Sequence, residues 1–181
     1  MKTKVFYFPF IFISLFVSNC ALTVKPAATK SAKTYYESFF VGEAGTQYFI
    51  KPIEFYDEDG HDKLFVDFTF RYKNEVKDSA VINLSIHGEV VIKSVNGITL
   101  TNAVSSISLS DISLLFNDKK DKKMISRFSA KCSTKEMIDI FDNSGVNVTI
   151  NTVNSSKLFL PSKKSHKIIR SLNDNLYILF R

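Results

Sequence analysis

Between Leu64 and Tyr72 hydrophobic and polar positions alternate without a break: Leu64, Val66, Phe68, Phe70 and Tyr72 against Phe65, Asp67, Thr69 and Arg71. That period of two predicts an antiparallel strand with one face buried. Ala80 to His87 repeats the pattern, with Ala80, Ile82, Leu84 and Ile86 as the inward set. Upstream, Gln47 to Asp57 reads as a strand with apolar residues on both faces and with Pro52 inside it. Proline cannot donate to a ladder, so it marks an edge or a bulge. Glu58-Asp59-Gly60-His61-Asp62 then joins two strands as a hairpin turn, its Asp-Gly pair accepting positive φ. Asn96-Gly97 gives the same signal between Glu89–Val95 and Ile98–Val104, which are expected to form a second hairpin. Ile107, Leu109, Ile112, Leu114 and Phe116 continue the alternation, with a slip of one residue around Asp111 that predicts a bulge or short break. A charged loop at Asp118 to Lys123 precedes a strand from Met124 to Cys132.

The period changes late in the chain. Ser133-Thr134-Lys135-Glu136 is a capping box, with Cys132 and Met137 placed as its hydrophobic staple and Asn143-Ser144-Gly145 as the stop. Val146 to Thr152 alternates again. Ser165, Ile168, Ile169 and Leu172 share one face of a second helix, over Ser162 to Leu172, and Leu176 to Phe180 is expected to close the chain as a strand. Eight or more short strands and one or two short helices near the C-terminus predict a mainly β fold, an antiparallel β-sandwich or a partly open barrel.

The first twenty residues follow a different logic. Lys2 and Lys4 open an apolar run from Val5 to Val17 that ends in Ser18-Asn19-Cys20. As a helix such a run reaches about 20 Å, short of the ~30 Å of a hydrocarbon core, and the layout is that of a secretory signal. Its end, Val17-Ser18-Asn19-Cys20, resembles the lipobox of bacterial lipoproteins, with Asn19 where Gly, Ala or Ser is usual. The resemblance implies that Cys20 is acylated and becomes the first residue of the mature protein. An ordinary signal peptide with an incidental cysteine is the alternative. The Phe- and Lys-rich, Trp-free remainder resembles small envelope lipoproteins of Gram-negative bacteria. Ala21 after the cysteine is similar to the outer-membrane sorting pattern of enteric lipoproteins, and no acidic cluster follows it. The expected organisation is a signal peptide over residues 1–19, a flexible tether over 20–33 and one β-rich domain over 34–181. It would be held by its lipid in the outer membrane, facing the periplasm.

Charge and chemistry refine this picture. The formal charge is +6, and without Lys2 and Lys4 the balance is 22 basic against 18 acidic residues. The basic residues are spread out, so no nucleic-acid partner is expected. Lys25, Lys30 and Lys33 lie where anionic head groups would attract them. With Cys20 acylated, Cys132 has no disulfide partner and reads as a small buried apolar residue. His61, His87 and His166 have no second ligand at metal-binding spacing. No nucleophile elbow or phosphate loop occurs, and no cofactor is expected.

Two constellations stand out as candidate sites. Asp57, Asp59 and Asp62 flank Gly60 and offer oxygen ligands to Ca²⁺, against the plainer reading of a solvated acidic turn. Tyr35, Tyr36, Phe39 and Phe40 follow the tether, where they would either cover an open sheet edge or form an exposed docking patch. The leading functional expectation is a lipid-anchored binding module without catalysis, whose partner is an envelope protein or glycan. A hydrophobic-ligand carrier comes second, and a small hydrolase with a dispersed site third.

Overall fold

The structure is a computed structural model that describes residues 35–73, 79–142 and 145–180. The expected signal peptide, Cys20, the expected tether and the Asn143-Ser144 part of the stop expected for the first helix lie outside the described residues. Among the described residues ten strands occur in chain order: β1 (Tyr36–Phe40), β2 (Thr46–Asp57), β3 (Lys63–Tyr72), β4 (Ser79–Gly88), β5 (Gly97–Thr101), β6 (Ser106–Ser108), β7 (Ser110–Lys120), β8 (Lys123–Ser133), β9 (Asn147–Asn151) and β10 (Ser156–Pro161). Helix α1 (Thr134–Phe141) lies between β8 and β9, and α2 (Lys163–Asn175) follows β10. All pairings are antiparallel within one sheet, in the order β6-β5-β9-β10-β2-β3-β4-β8-β7, while β1 lies beside the first half of β2. The partly open barrel is therefore the arrangement found, as a curled half-barrel.

Its curl follows from one residue. β6 and β7 occupy opposite ends of the sheet, yet only Leu109 separates them in sequence. The Leu109 N–H donates to the Ile98 carbonyl at 2.9 Å, and the next residue, Ser110, faces Lys131 of β8. One run of chain thus pairs first with one edge of the sheet and then with the other, which brings the two edges together at this corner.

The inward faces of β2, β3, β4 and β8 carry the core: Ile53, Phe55, Leu64, Val66, Phe68, Ile82, Leu84 and Phe128 are at most 1% exposed. The expected two-faced character of β2 resolves into a bulge. Its register with β3 shifts between Ile50 and Ile53, at Lys51-Pro52. Tyr48 and Ile50 therefore point inward before the bulge and Ile53 and Phe55 after it, while Phe49 is left on the outer surface. Gly45, just before β2, has φ +88, and a Cβ there would stand 2.2 Å from the Tyr72 carbonyl oxygen, so only glycine fits.

Both helices pack on the concave face. The Ser133 hydroxyl accepts from the Glu136 N–H at 3.4 Å, and Met137, Ile140 and Phe141 of α1 are fully buried, with Phe141 4.9 Å from the Phe68 ring. Ser162 caps α2 by accepting from the Ser165 N–H at 3.1 Å. The Ser165 hydroxyl in turn donates to the Glu54 carbonyl, fixing α2 to β2. Asn102 donates to the Asp139 and Ile140 carbonyls at 3.1 and 3.0 Å, so the β5–β6 turn satisfies the end of α1.

Three expectations are overturned. Glu89–Val95 is not a strand, and no hairpin forms at Asn96-Gly97. Gly97 does not adopt positive φ, and the segment instead crosses from β4 to β5, whose neighbours are β6 and β9. Leu176–Phe180 is not a strand either. Tyr177–Phe180 forms a 3-10 turn whose Phe180 ring lies 4.7 Å from Tyr72 and 5.4 Å from Tyr48 and Phe70. Finally, the charged loop at Asp118–Lys123 shrinks to two residues. Asp121 and Lys122, at φ +50 and +68, turn the chain while their neighbours extend β7 and β8, and Lys120 faces Lys123.

Candidate functional site

At the end of the barrel where β2 meets β3, three connections surround a cleft of about 690 Å³. The β2–β3 turn supplies Asp57, Asp59, His61 and Asp62; the crossover supplies Glu89 to Ser94; the β9–β10 turn supplies Thr152 to Ser155. Ile86, Ile150 and Phe159, all buried, form an apolar floor, and Lys157 stands at its side.

Each wall is fixed locally. In the β2–β3 turn Gly60 adopts φ +70 and its N–H donates to the Asp57 carbonyl at 3.0 Å, while the Asp57 carboxylate accepts from the Asp62 N–H at 3.0 Å. Asp62 is 7% exposed and its carboxylate is ion-paired with the Lys157 ammonium. The crossover is held at two points: the Ile92 N–H donates to the buried Ser126 hydroxyl at 2.9 Å, and the Asn96 N–H to the Asn151 carbonyl at 2.7 Å. Ile92 and Val95 pack against the core, which explains why an apolar-rich segment can cross the barrel end without being a strand. In the β9–β10 turn the Thr152 N–H donates to the Ser155 carbonyl at 2.8 Å, and the Thr152 hydroxyl oxygen accepts from the Ser155 N–H at 3.1 Å.

Val90 and Val153 sit on two of these walls and are 77% and 72% exposed. Together with the apolar floor, the Asp62–Lys157 pair and Asp57, Asp59, His61, Glu89 and Lys93, they give the cleft both apolar and charged groups.

The candidate cation ligands are partly engaged elsewhere. Asp57 closes its own turn and Asp62 holds Lys157. Among the described residues no three His, Cys, Asp or Glu side chains gather as a metal site. The aromatic patch divides. Tyr36 is half-buried, 6.2 Å from Tyr48, and the Tyr35 carbonyl accepts from the Lys51 N–H at 2.9 Å, so these two cover the edge of β2. Phe39 and Phe40 project from the same strand, 53% and 73% exposed, with Phe39 edge-on to Phe49 at 5.6 Å. At ~3.3 Å per residue of strand, Phe39 lies about 30 Å along β2 from the cleft, so the two surfaces are separate.

Cys132 is free and half-buried on the inner face, and burial, then Glu136, pushes its thiol up to about 11. The cleft residues not expected from sequence are Lys157, Val90 and Val153. Lys157 meets Asp62 from 95 positions away. Val153 did leave a trace, since it is the lone large apolar residue in Thr152-Val153-Asn154-Ser155, whereas Val90 stands beside Val91 and Ile92 and does not stand out. No helix among the described residues is long and apolar enough to cross a membrane. Comparison with protein-family models, curated sequences and solved structures finds no match to the chain.

Proposed function

We propose that this protein is a non-catalytic binding module of the bacterial cell envelope, tethered through acylated Cys20, and that it engages an envelope protein or glycan at the cleft between residues 57–62, 89–94 and 152–155. The observation that carries the reading is the pair of exposed valines, Val90 and Val153, on the lips of a cleft built on a rigid, close-packed barrel. Binding residues mounted on connections above a fixed scaffold are the usual arrangement for recognition. The carrier reading draws no comparable support, because Phe55, Phe68, Phe128, Phe141, Phe159 and Tyr177 fill the interior together with the helices.

The anchor and the binding surface are tested separately. Intact-mass measurement of the chain taken from membranes is expected to give a polypeptide starting at Cys20 and carrying acyl chains, and the Cys20→Ser variant is expected to leave the membrane fraction. A photoreactive residue at Asn154, beside Val153, is expected to cross-link one reproducible envelope component. Val90→Asp with Val153→Asp should abolish that adduct without lowering stability, since both side chains are exposed. An adduct that survives the double substitution would refute the cleft as the binding surface.

A further inference from the structure

Strand β1 and the 3-10 turn at Tyr177–Phe180 end together, at the opposite end of β2 from the cleft. Thr46 faces Phe40 in one pairing and Tyr72 in the other, so Phe40 and Tyr72 stand two strand spacings apart, about 10 Å, on one side of the sheet. The Phe180 ring packs on Tyr72, Tyr48 and Phe70 from that same side. Phe180 is seated inward, but its predecessors Ile178 and Leu179 are left 59% and 60% exposed. With Phe40 they put three large apolar side chains in water at one rim of the barrel.

The 3-10 turn directly continues α2, and α2 carries the charge. Lys163, Lys167, Arg170 and Asp174 recur at three- and four-residue spacing along its exposed face, with Lys164 on the shoulder. Four bases thus stand against one acid. Among the described residues none of these four bases has an ion-pair partner, whereas Lys51, Lys63, Lys123, Arg127, Lys131 and Lys157 of the sheet each hold a carboxylate. Beside Phe40 the charges of Glu43 and Lys73 offset one another. A basic helix face that runs into exposed apolar residues complements a surface of anionic head groups over an apolar interior.

The point where the chain enters the barrel sets that surface beside this face. The described chain begins at Tyr35, on the Lys51 N–H, and α2 begins three positions further along β2, where the Ser165 hydroxyl donates to the Glu54 carbonyl. Residues 21–34, between Cys20 and this point, span at most about 50 Å. A lipid on Cys20 therefore keeps the bilayer within reach of α2 and the rim, and a weak surface suffices because the second contact is intramolecular. Resting on the acylated Cys20 proposed above, we infer that the exposed face of α2 and the rim at Phe40, Ile178 and Leu179 lie on the anionic phospholipid surface of the membrane that holds the anchor. The bases meet the phosphates, and the three apolar side chains enter the boundary between head groups and acyl chains. The cleft, at the other end of β2, then faces away from the bilayer, open to its own partner.

The test is photo-cross-linking of the full chain, isolated from membranes and reconstituted into vesicles of phosphatidylethanolamine with about one-quarter phosphatidylglycerol. A photoreactive residue at Leu179 is expected to form phospholipid adducts at least about tenfold more often than one at Asn154, beside the cleft. Lys163→Gln, Lys167→Gln and Arg170→Gln together are expected to lower the Leu179 yield at least about tenfold, as is phosphatidylcholine in place of phosphatidylglycerol. All three side chains are exposed, so an unchanged Tm is expected and checks that the fold is kept. No lipid adduct at Leu179, equal yields at Leu179 and Asn154, or a yield indifferent to both changes would overturn the inference. Intact mass of the same sample separates this face from the anchor. An acylated chain without the Leu179 adduct refutes the face and leaves the anchor standing, whereas the adduct in an unacylated chain upholds the face and refutes the anchor.

Discussion

The Asp62 carboxylate lies so close to Gly88 that a Cβ on residue 88 would stand 2.7 Å from its Oδ1 and 3.0 Å from its Cγ. Gly88 is the last residue of β4 and has no need of positive φ, so its identity is explained by this approach alone. Gly88→Ala would force the carboxylate away from Lys157 and disturb the Asp57–Asp62 turn. The expected loss of stability is about 1–3 kcal/mol by denaturant unfolding. Adding Asp62→Ala should cost little more, because the clash and the ion pair are then the same loss.

The Tyr177 ring is fully buried, and its hydroxyl has no hydrogen-bond partner among the described residues. Desolvation accordingly holds the phenol well above its ordinary pKa of 10.0. Tyr177→Phe removes an unsatisfied polar atom while keeping the ring, so the variant should be more stable by roughly 1 kcal/mol. Thermal unfolding checks the sign, and a destabilised variant would show that the hydroxyl is satisfied after all.

His87 supplies a pH dependence. Burial, then Lys120 and Lys63, lowers its pKa below the ordinary 6.5, and its ring packs 4.7 Å from Phe65. As pH falls below about 6.5 the unfolded chain takes up this proton before the folded one does. The stability associated with neutral His87 is therefore complete above pH 6.5 and is lost as pH drops through the folded-state value. His87→Gln should flatten the fall in Tm between pH 7 and pH 5.5 relative to the parent chain.

Cys132 supplies a probe of opening. With its thiol raised from 9.0 to about 11, roughly a hundredfold less thiolate is present at pH 8 than for an ordinary cysteine. In a Cys20→Ser chain, Cys132 is expected to react with a disulfide reagent at least about a hundredfold more slowly folded than unfolded. A folded-state rate near that of a free thiol would contradict the packing described for the end of β8.

The sequence disclosed whatever rested on local periodicity. β3, β4, β8, the cap of α1 and the bulge at Pro52 follow from alternation, capping chemistry and the donor that proline lacks. It misled where a local signal was outweighed by long-range packing. Asn96-Gly97 has turn chemistry, but Ile92 is tied to Ser126 and Asn96 to Asn151, so the segment before it belongs to the barrel end rather than to a hairpin. Leu176 to Phe180 alternates too briefly to distinguish a strand from the 3-10 turn that seats Phe180 on three aromatic rings. β1 and β10 went unread because one is an aromatic cluster and the other only a three-residue apolar run, Leu158 to Leu160, between Lys157 and Pro161. Of the cleft, the acidic turn was visible in the sequence. Its convergence with Lys157 and the two valines was not, because that depends on β10 returning beside β2 after some hundred residues.

The pairing order also sets a timetable for synthesis. β5 finds its neighbour in β9, and β2 meets β10 only when Pro161 has been made. A nascent chain that has emerged as far as β8 can zip β2, β3, β4 and β8 together, but β5 and β6 have only each other until β9 and β10 follow near the end of the polypeptide. Closure of loops that long is slow and leaves strand edges bare in the interval. A chain with this wiring is expected to rely on an escort that shields those edges until translation ends.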